Sequence, residues 1–190
     1  MTKSTNKHSV YVALLRGVNV VGKNKLPMKD LAQMFAKAGC SEVKTYIQSG
    51  NVIFAAAPES CEFLVESVAK QIEKEFGHRP AITLRTSQEL TKILRTNPFL
   101  EEGVDEKALA VVFLLGKPHP DAVATLDPNR SPGDRFAVIG REIYLHLPNG
   151  FAETKLTGAY FDSRLKVAGT ARNWRTTQTL AKWAEDLTPR

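Results

Sequence analysis

Cysteine is scarce, histidine is thinly scattered, and long apolar runs are missing from this 190-residue chain. Two cysteines, Cys40 and Cys61, cannot make a disulfide framework, and no second pair offers a zinc spacing. The expectation is reduced thiols in a cytoplasmic compartment, with Cys61 buried on the apolar stripe of a helix. Nowhere do the roughly 20 successive apolar residues that span a bilayer occur. The lysine-flanked apolar start mimics a secretory signal, but Arg16 interrupts the run and Val20-Val21-Gly22 lacks a small-x-small cleavage pattern. A soluble, unprocessed protein with no membrane partner is expected. His8, His78, His119 and His146 stand apart, with no metal spacing and no neighbouring nucleophile–base arrangement. Paired catalytic carboxylates are also missing. The sequence requires no metal and no cofactor, and it assigns no catalytic residue.

What is present is globular material. With 43% apolar and 24% charged residues, the composition excludes disorder and collagen. A chain of this length buries about 70% of the surface its unfolded form exposes, so its core needs no staple. The formal charge of +6 is uneven. Residues 1–97 hold 14 basic and 8 acidic side chains, whereas the remainder holds 12 of each, so the whole surplus lies in the first half. A local surplus of that sign favours an anionic partner, although a solvated, lysine-decorated surface would look the same.

Residues 9–15 form an apolar, β-branched run, which predicts a strand buried on both faces. A Gly- and Asn-rich loop follows. Pro27 suits the first turn of a helix whose face is Met28, Leu31, Phe35 and Ala38. Strands are expected over 43–48 and 51–56, joined by a tight turn at Ser49-Gly50. Cys61, Leu64, Val65, Val68, Ile72 and Phe76 space as one face of a second helix ending at Gly77. A strand at 81–85 leads to Thr86 and Glu89, a capping box for a short third helix. The order then recurs: strand 108–115, helix 120–126, hairpin 135–147 around Gly140-Arg141, helix 154–165, strand 167–171 and helix 173–187.

Each half reads β-α-β-β-α-β plus a final helix, so the fold class is α+β with two ferredoxin-like (split βαβ) halves. The organisation is a flexible tail at 1–8, a first half at 9–97, an acidic linker at 98–107 and a second half at 108–190. No residue identities shared by the halves are evident. In such a unit the loop after strand one and the turn between strands two and three leave the same sheet edge. That places Arg16, Asn19, Lys23 and Lys25 near Gln48 and Asn51. In the second half, the loop after strand three and the exit of strand four share the opposite edge, which groups Lys155 with Arg172, Asn173 and Trp174.

These ten residues are the candidate ligand-binding set. Residues 17–23 match GxxxxGK after a strand, but Asn24 stands where a Mg²⁺-binding Ser or Thr belongs. The loop therefore suits simple anion binding better than nucleotide hydrolysis. Gln48 and Asn51 flank a turn, and their amides either serve the turn or orient a ligand. Lys155 falls in the first turn of a helix opened by Thr154, where a cation opposes the helix dipole unless an anion sits there. Trp174 lies off the apolar stripe of its helix, suited either to stacking on a ligand or to sealing the halves. The run 10–15 is similar to an RNA-recognition strand, but its partner strand carries Phe54 alone, so core packing is expected.

The segments LLRGVNVVGKNKLPM, TYIQSGNVIF, EIYLHLPNG, TKLT and GTARNWRTTQTL together resemble the bacterial family known as domain of unknown function 1697. The resemblance runs from about Val10 to Leu187. It implies a small cytoplasmic bacterial protein of ferredoxin-like topology, and no established activity. The family pattern has a second glycine in the first loop, where this chain has Val21, and Ser before Lys-Leu-Thr, where it has Thr154.

Three functions compete at this level. The preferred one is binding of an anionic, phosphate-bearing small molecule through the basic and amide-rich loops. The second is a nucleic-acid-binding module using the basic first half, and the third a structural or partner-binding protein with no ligand. The oligomeric state is not written in these patterns.

Overall fold

A computed structural model describes residues 8–187. The expected tail at 1–8 falls almost wholly outside them. Two four-stranded antiparallel sheets account for all the named strands among the described residues. The first contains β1 (Ser9–Leu15), β2 (Ser41–Tyr46), β3 (Asn51–Ala56) and β4 (Ile82–Thr86), in the order β2-β3-β1-β4. The second contains β5 (Leu109–Leu114), β6 (Arg135–Ile139), β7 (Glu142–His146) and β8 (Gly169–Asn173), in the matching order β6-β7-β5-β8. Six α-helices join them: α1 (Met28–Lys37), α2 (Cys61–Phe76), α3 (Ser87–Arg95), α4 (Pro120–Ala124), α5 (Gly158–Leu165) and α6 (Trp174–Asp186).

Alternation sets the cores. In β1, Tyr11, Ala13 and Leu15 point to one face and meet Leu31 and Phe35 of α1 and Leu64, Val68 and Ile72 of α2. Tyr11 stacks on Phe54 at 5.8 Å and Phe35 tilts against the same ring at 5.1 Å, so these aromatics pack in the core, as expected. In β5, Ala110, Val112 and Leu114 play the same part, facing Tyr160, Phe161 and Leu165 of α5. Burying each such side chain stabilises by about 1.5–3 kcal/mol. The capping box forms as written: the Thr86 amide donates to Glu89 Oε2 at 2.8 Å, and the Glu89 amide to Thr86 Oγ1 at 3.1 Å.

Packing divides the described chain into two units. One runs to Glu89 and resumes at Leu180; the other is Leu90–Thr179. Within the first, Trp183 of α6 meets Tyr46 of β2 edge-on at 5.2 Å. The first unit is thus built from both ends of the sequence.

The strands expected at 43–48 and 167–171 shift to Ser41–Tyr46 and Gly169–Asn173, the first because Ile47 at φ 48° already belongs to the turn, and two further local expectations change. The helix predicted from Thr154 starts at Gly158, because two threonines three residues apart compete for the cap. Thr157 Oγ1 accepts the Tyr160 amide at 3.2 Å, while Thr154 is spent on the Leu156 amide at 3.0 Å. Lys155 therefore precedes the helix, and the dipole argument for it lapses. Cys61 is half-buried rather than buried, because it opens α2 with its Sγ 3.6 Å from the Ala57 carbonyl. Cys40 is the buried thiol, and both are free.

Burial has a measurable consequence in this core. Desolvation pushes the Cys40 thiol from 9.0 up to about 12, and Tyr11 from 10.0 up to about 12 with help from its hydrogen bond to Cys61. Both folded values lie above the unfolded ones, so their stabilising contribution is complete below pH 9 and is lost as pH rises toward 12. Urea unfolding repeated between about pH 8 and about pH 11 should show stability falling, by at most about 1.4 kcal/mol per pH unit for each group. Cys40→Ala should flatten that decline. An unchanged slope would remove Cys40 as its source.

Candidate functional site

The first polar cluster is a pair of loops at one sheet edge. Strand pairing places them there: the Leu15 amide donates to the Gly50 carbonyl at 2.8 Å, and the Arg16 amide to the Ala81 carbonyl at 2.9 Å. Between β1 and α1 the chain folds into a small hairpin closed by the Val20↔Lys23 bridge, with the Lys23 amide donating to Val20 at 2.9 Å. That geometry turns the GxxxxGK segment back on itself. Asn19, at φ 54°, staples the hairpin. Its Nδ2 donates to the carbonyls of Leu26 (2.8 Å) and Gln48 (2.9 Å), and its Oδ1 accepts the Leu26 amide at 2.8 Å. Asn51 is fully buried and donates to the Tyr46 carbonyl at 3.1 Å and to Ser49 Oγ at 2.9 Å. Arg16 is half-buried, whereas Lys23, Lys25 and Gln48 are exposed. The two asparagines hold the loops, and the lysines and Gln48 face water.

The second cluster lies in the other unit. Lys155 is exposed, and its amide donates to Ser131 Oγ at 3.0 Å. Arg172 is buried on β8; its Nη1 donates to Thr170 Oγ1 and to the Ala171 carbonyl, both at 2.8 Å. Burial pulls this guanidinium down to about 10, which leaves it cationic at neutral pH. The first sheet repeats the device: Arg85 Nη1 donates to Thr83 Oγ1 at 2.9 Å and to the Leu84 carbonyl at 2.8 Å. Arg85 pairs with Val12 of β1 and Arg172 with Val111 of β5. A Thr-x-Arg identity therefore links the halves at matching positions, one that was not evident from the sequence. Differing flanking residues conceal it in the sequence.

Next to Arg172, the chain exits β8 into α6. Asn173 Oδ1 accepts the Thr176 amide at 2.8 Å, a side-chain N-cap. The first turn of α6 carries no acid. It carries Arg175, which the helix dipole disfavours unless negative charge is close. A cavity of about 450 Å³ opens here, lined by Asp105, Glu106, Lys107, Asn173, Trp174, Arg175 and Gln178. Its size falls within the range of small-molecule sites. The Ala110↔Asn173 pairing brings the residues just before β5 beside the start of α6. Asp105 Oδ1 accepts the Lys107 amide at 2.9 Å, and Glu106 Oε2 accepts from Gln178 at 3.0 Å. Among the described residues neither Lys107 nor Arg175 forms an ion pair. Trp174 is 2% exposed, and its indole Nε1 is buried with no acceptor among the described residues. Such an orphan donor costs about 1–3 kcal/mol.

Of the residues that line this cavity, the sequence singles out Asn173 and Trp174 and not Lys107, Gln178 or the two acids. Arg175, in a first turn without an acid, was the available signal. No cluster of three or more candidate metal-binding side chains occurs among the described residues, and no helix there is long and apolar enough to cross a membrane.

Comparison with known proteins agrees with the architecture. A family model described as a protein of unknown function (DUF1697) matches residues 9–144. The conserved bacterial protein SP0830 from Streptococcus pneumoniae has a solved structure similar to this one, with a TM-score of 0.71 at 23% identity. The match covers 94% of this chain and 99% of that one, and at this identity it speaks for the fold alone. No curated protein matches.

Proposed function

This chain belongs to the DUF1697 family, described only as of unknown function, and from that footing we propose that it binds a small anionic, phosphate-bearing molecule in the cavity at the start of α6. One observation carries the reading: a buried indole N–H without an acceptor lies beside a helix N-terminus whose first turn lacks an acid, in a cavity lined by two cations and two acids. Helix N-termini attract anions because their amides point outward and their dipole is positive. Arg175 and Lys107 supply the charge, Asn173 fixes the cap, and Trp174 offers the donor. Because Trp174 is almost fully buried, contact with its Nε1 requires the indole edge to open. Asp105 and Glu106 restrict the site to ligands that also carry a donor on the opposite side. Arg172 precedes Asn173 on β8 but is not among the residues that line the cavity. The loop residues Arg16, Lys23, Lys25 and Gln48 belong to the other unit and do not line the cavity.

The strand order and antiparallel pairing support reading both halves as ferredoxin-like, and the two free thiols support a reducing, cytoplasmic compartment. The exposed aromatic platform that single-stranded nucleic acid needs has no counterpart around the lysine loops among the described residues, so the small-molecule reading is preferred.

The test is a thermal-shift and fluorescence titration with inorganic phosphate, sugar phosphates and nucleotides. In a Trp183→Phe background, Trp174 is the remaining indole. Its emission should change on saturation, and Arg175→Ala or Lys107→Ala should each weaken binding by about tenfold or more. A ligand at a hundred times its Kd should add about 2.7 kcal/mol of stability. Absence of any shift, or shifts that both variants leave intact, would remove the cavity as the site.

A further inference from the structure

We propose that this protein self-associates head to tail, the Val20–Val21 tip of the β1–α1 hairpin in one copy seating in the Phe63 hollow of a second. The tip is an exposed apolar knob: Val21 is 94% exposed, Val20 53% and Ile47 50%. Val21 (φ 45°) and Ile47 (φ 48°) are β-branched residues in the left-handed region, a conformation such residues rarely take. Strain of this kind is retained where a segment has work to do. The Asn19–Gln48 hydrogen bond ties the Ile47 turn to the hairpin, so the three apolar side chains sit on loops held together. Exposed Lys23 and Lys25 flank them.

The complement of this knob lies elsewhere on the same unit. At the start of α2 an open hollow of about 630 Å³ is lined by Glu59, Glu62, Phe63, Val65 and Glu66. Phe63 is 78% exposed, an unusual position for a large aromatic. Glu66 is already engaged, by Arg79 at 2.6 Å and Lys70 at 3.2 Å. Glu59 and Glu62 form no ion pair among the described residues. An apolar knob with two lysines thus matches, in sign, a hollow that sets Phe63 and Val65 among three glutamates, two of them without an ion pair among the described residues.

Register decides why the occupant is another copy. The hollow follows Ala56, which pairs with Ser9 at the start of β1, whereas the knob follows Leu15, and Leu14 pairs with Asn51 at the other end. Seven strand residues separate the two features by roughly 20 Å, so a single chain cannot fill its own hollow. The contact is heterologous, and each copy offers one knob and one hollow. Three apolar side chains fall well short of the roughly 800 Å² per partner of a stable complex. The association belongs to the weak, concentration-dependent class.

Sedimentation velocity of the full chain, from micromolar to millimolar concentration, tests this. The weight-average sedimentation coefficient should rise with concentration and fall back in high salt. Val21→Glu and Phe63→Glu, both at exposed positions, should each abolish the rise without lowering the melting temperature. Mixing the two variants should restore a dimer and nothing larger, since each keeps the face the other lacks. A wild type that stays monomeric throughout overturns the proposal, as does association that both variants preserve. So does a monomeric chain whose Val21→Glu variant loses binding to anionic phosphatidylserine vesicles, which would make the tip a lipid anchor.

Discussion

Gly50→Ala should cost the first unit about 2–5 kcal/mol, a large share of the margin of an ordinary domain. Two costs combine. Gly50 sits at φ 71°, a conformation that penalises any Cβ by about 1–2 kcal/mol. An added Cβ would also lie 2.8 Å from Leu15 Cβ and 2.6 Å from Val18 Cγ2. Val18 can rotate in part, but Leu15 Cβ is fixed to β1, whose amide is bonded to the Gly50 carbonyl at 2.8 Å. Relief therefore requires the strand and turn to part. Gly17 is the control, at φ 67° with nothing within 4 Å of its added Cβ. Gly17→Ala should lose only the conformational part. Equal losses for the two variants in urea unfolding would show that the turn relaxes freely and that close approach does not matter.

Asn19→Ala should cost about 2–4 kcal/mol, because three hydrogen bonds end on one amide. Its loss leaves the amide and carbonyl of Leu26, a residue only 1% exposed, without the partner the staple supplied. Asparagine also tolerates positive φ better than alanine. Asn19→Asp discriminates between accepting and donating roles. Aspartate still accepts the Leu26 amide but presents an oxygen to the carbonyls of Leu26 and Gln48, so it should lose nearly as much as alanine. Amide exchange read by NMR should show the Leu26 N–H losing protection in Asn19→Ala and keeping it in part in Asn19→Asp. Full stability in Asn19→Ala would mean the hairpin is held by its backbone bridge alone.

What could be read in advance depends on whether the determinants are local. The strand at 9–15 follows from a β-branched run, and the start of α3 from a Thr and a Glu three residues apart, so both were legible. The start of α5 was not, because Thr154 and Thr157 offer the same cap chemistry and only tertiary packing decides which hydroxyl is spent elsewhere. Topology brought the Arg16 loop and the Gln48 turn together before any coordinates. Service to the turn was one of the two readings open for Asn51, whereas the role of Asn19 stayed hidden, since its partners are backbone groups, which every residue carries. The cavity was the least legible feature. Lys107 and Arg175 become neighbours through the Ala110↔Asn173 register, and nothing in either segment names the other strand.

The first unit is assembled from residues up to Glu89 and from Leu180 onward. On a ribosome its sheet emerges first, and the segment carrying Leu180, Trp183 and Ala184 follows only after the whole second unit. Closing that unit spans a loop of about ninety intervening residues, a slow search compared with hairpin formation. A nascent chain halted before Leu180 should therefore leave the Tyr46 side of the first sheet uncovered and open to chaperones. Emergence of the segment from Leu180, rather than of either half, is the step after which the first unit should resist proteolysis.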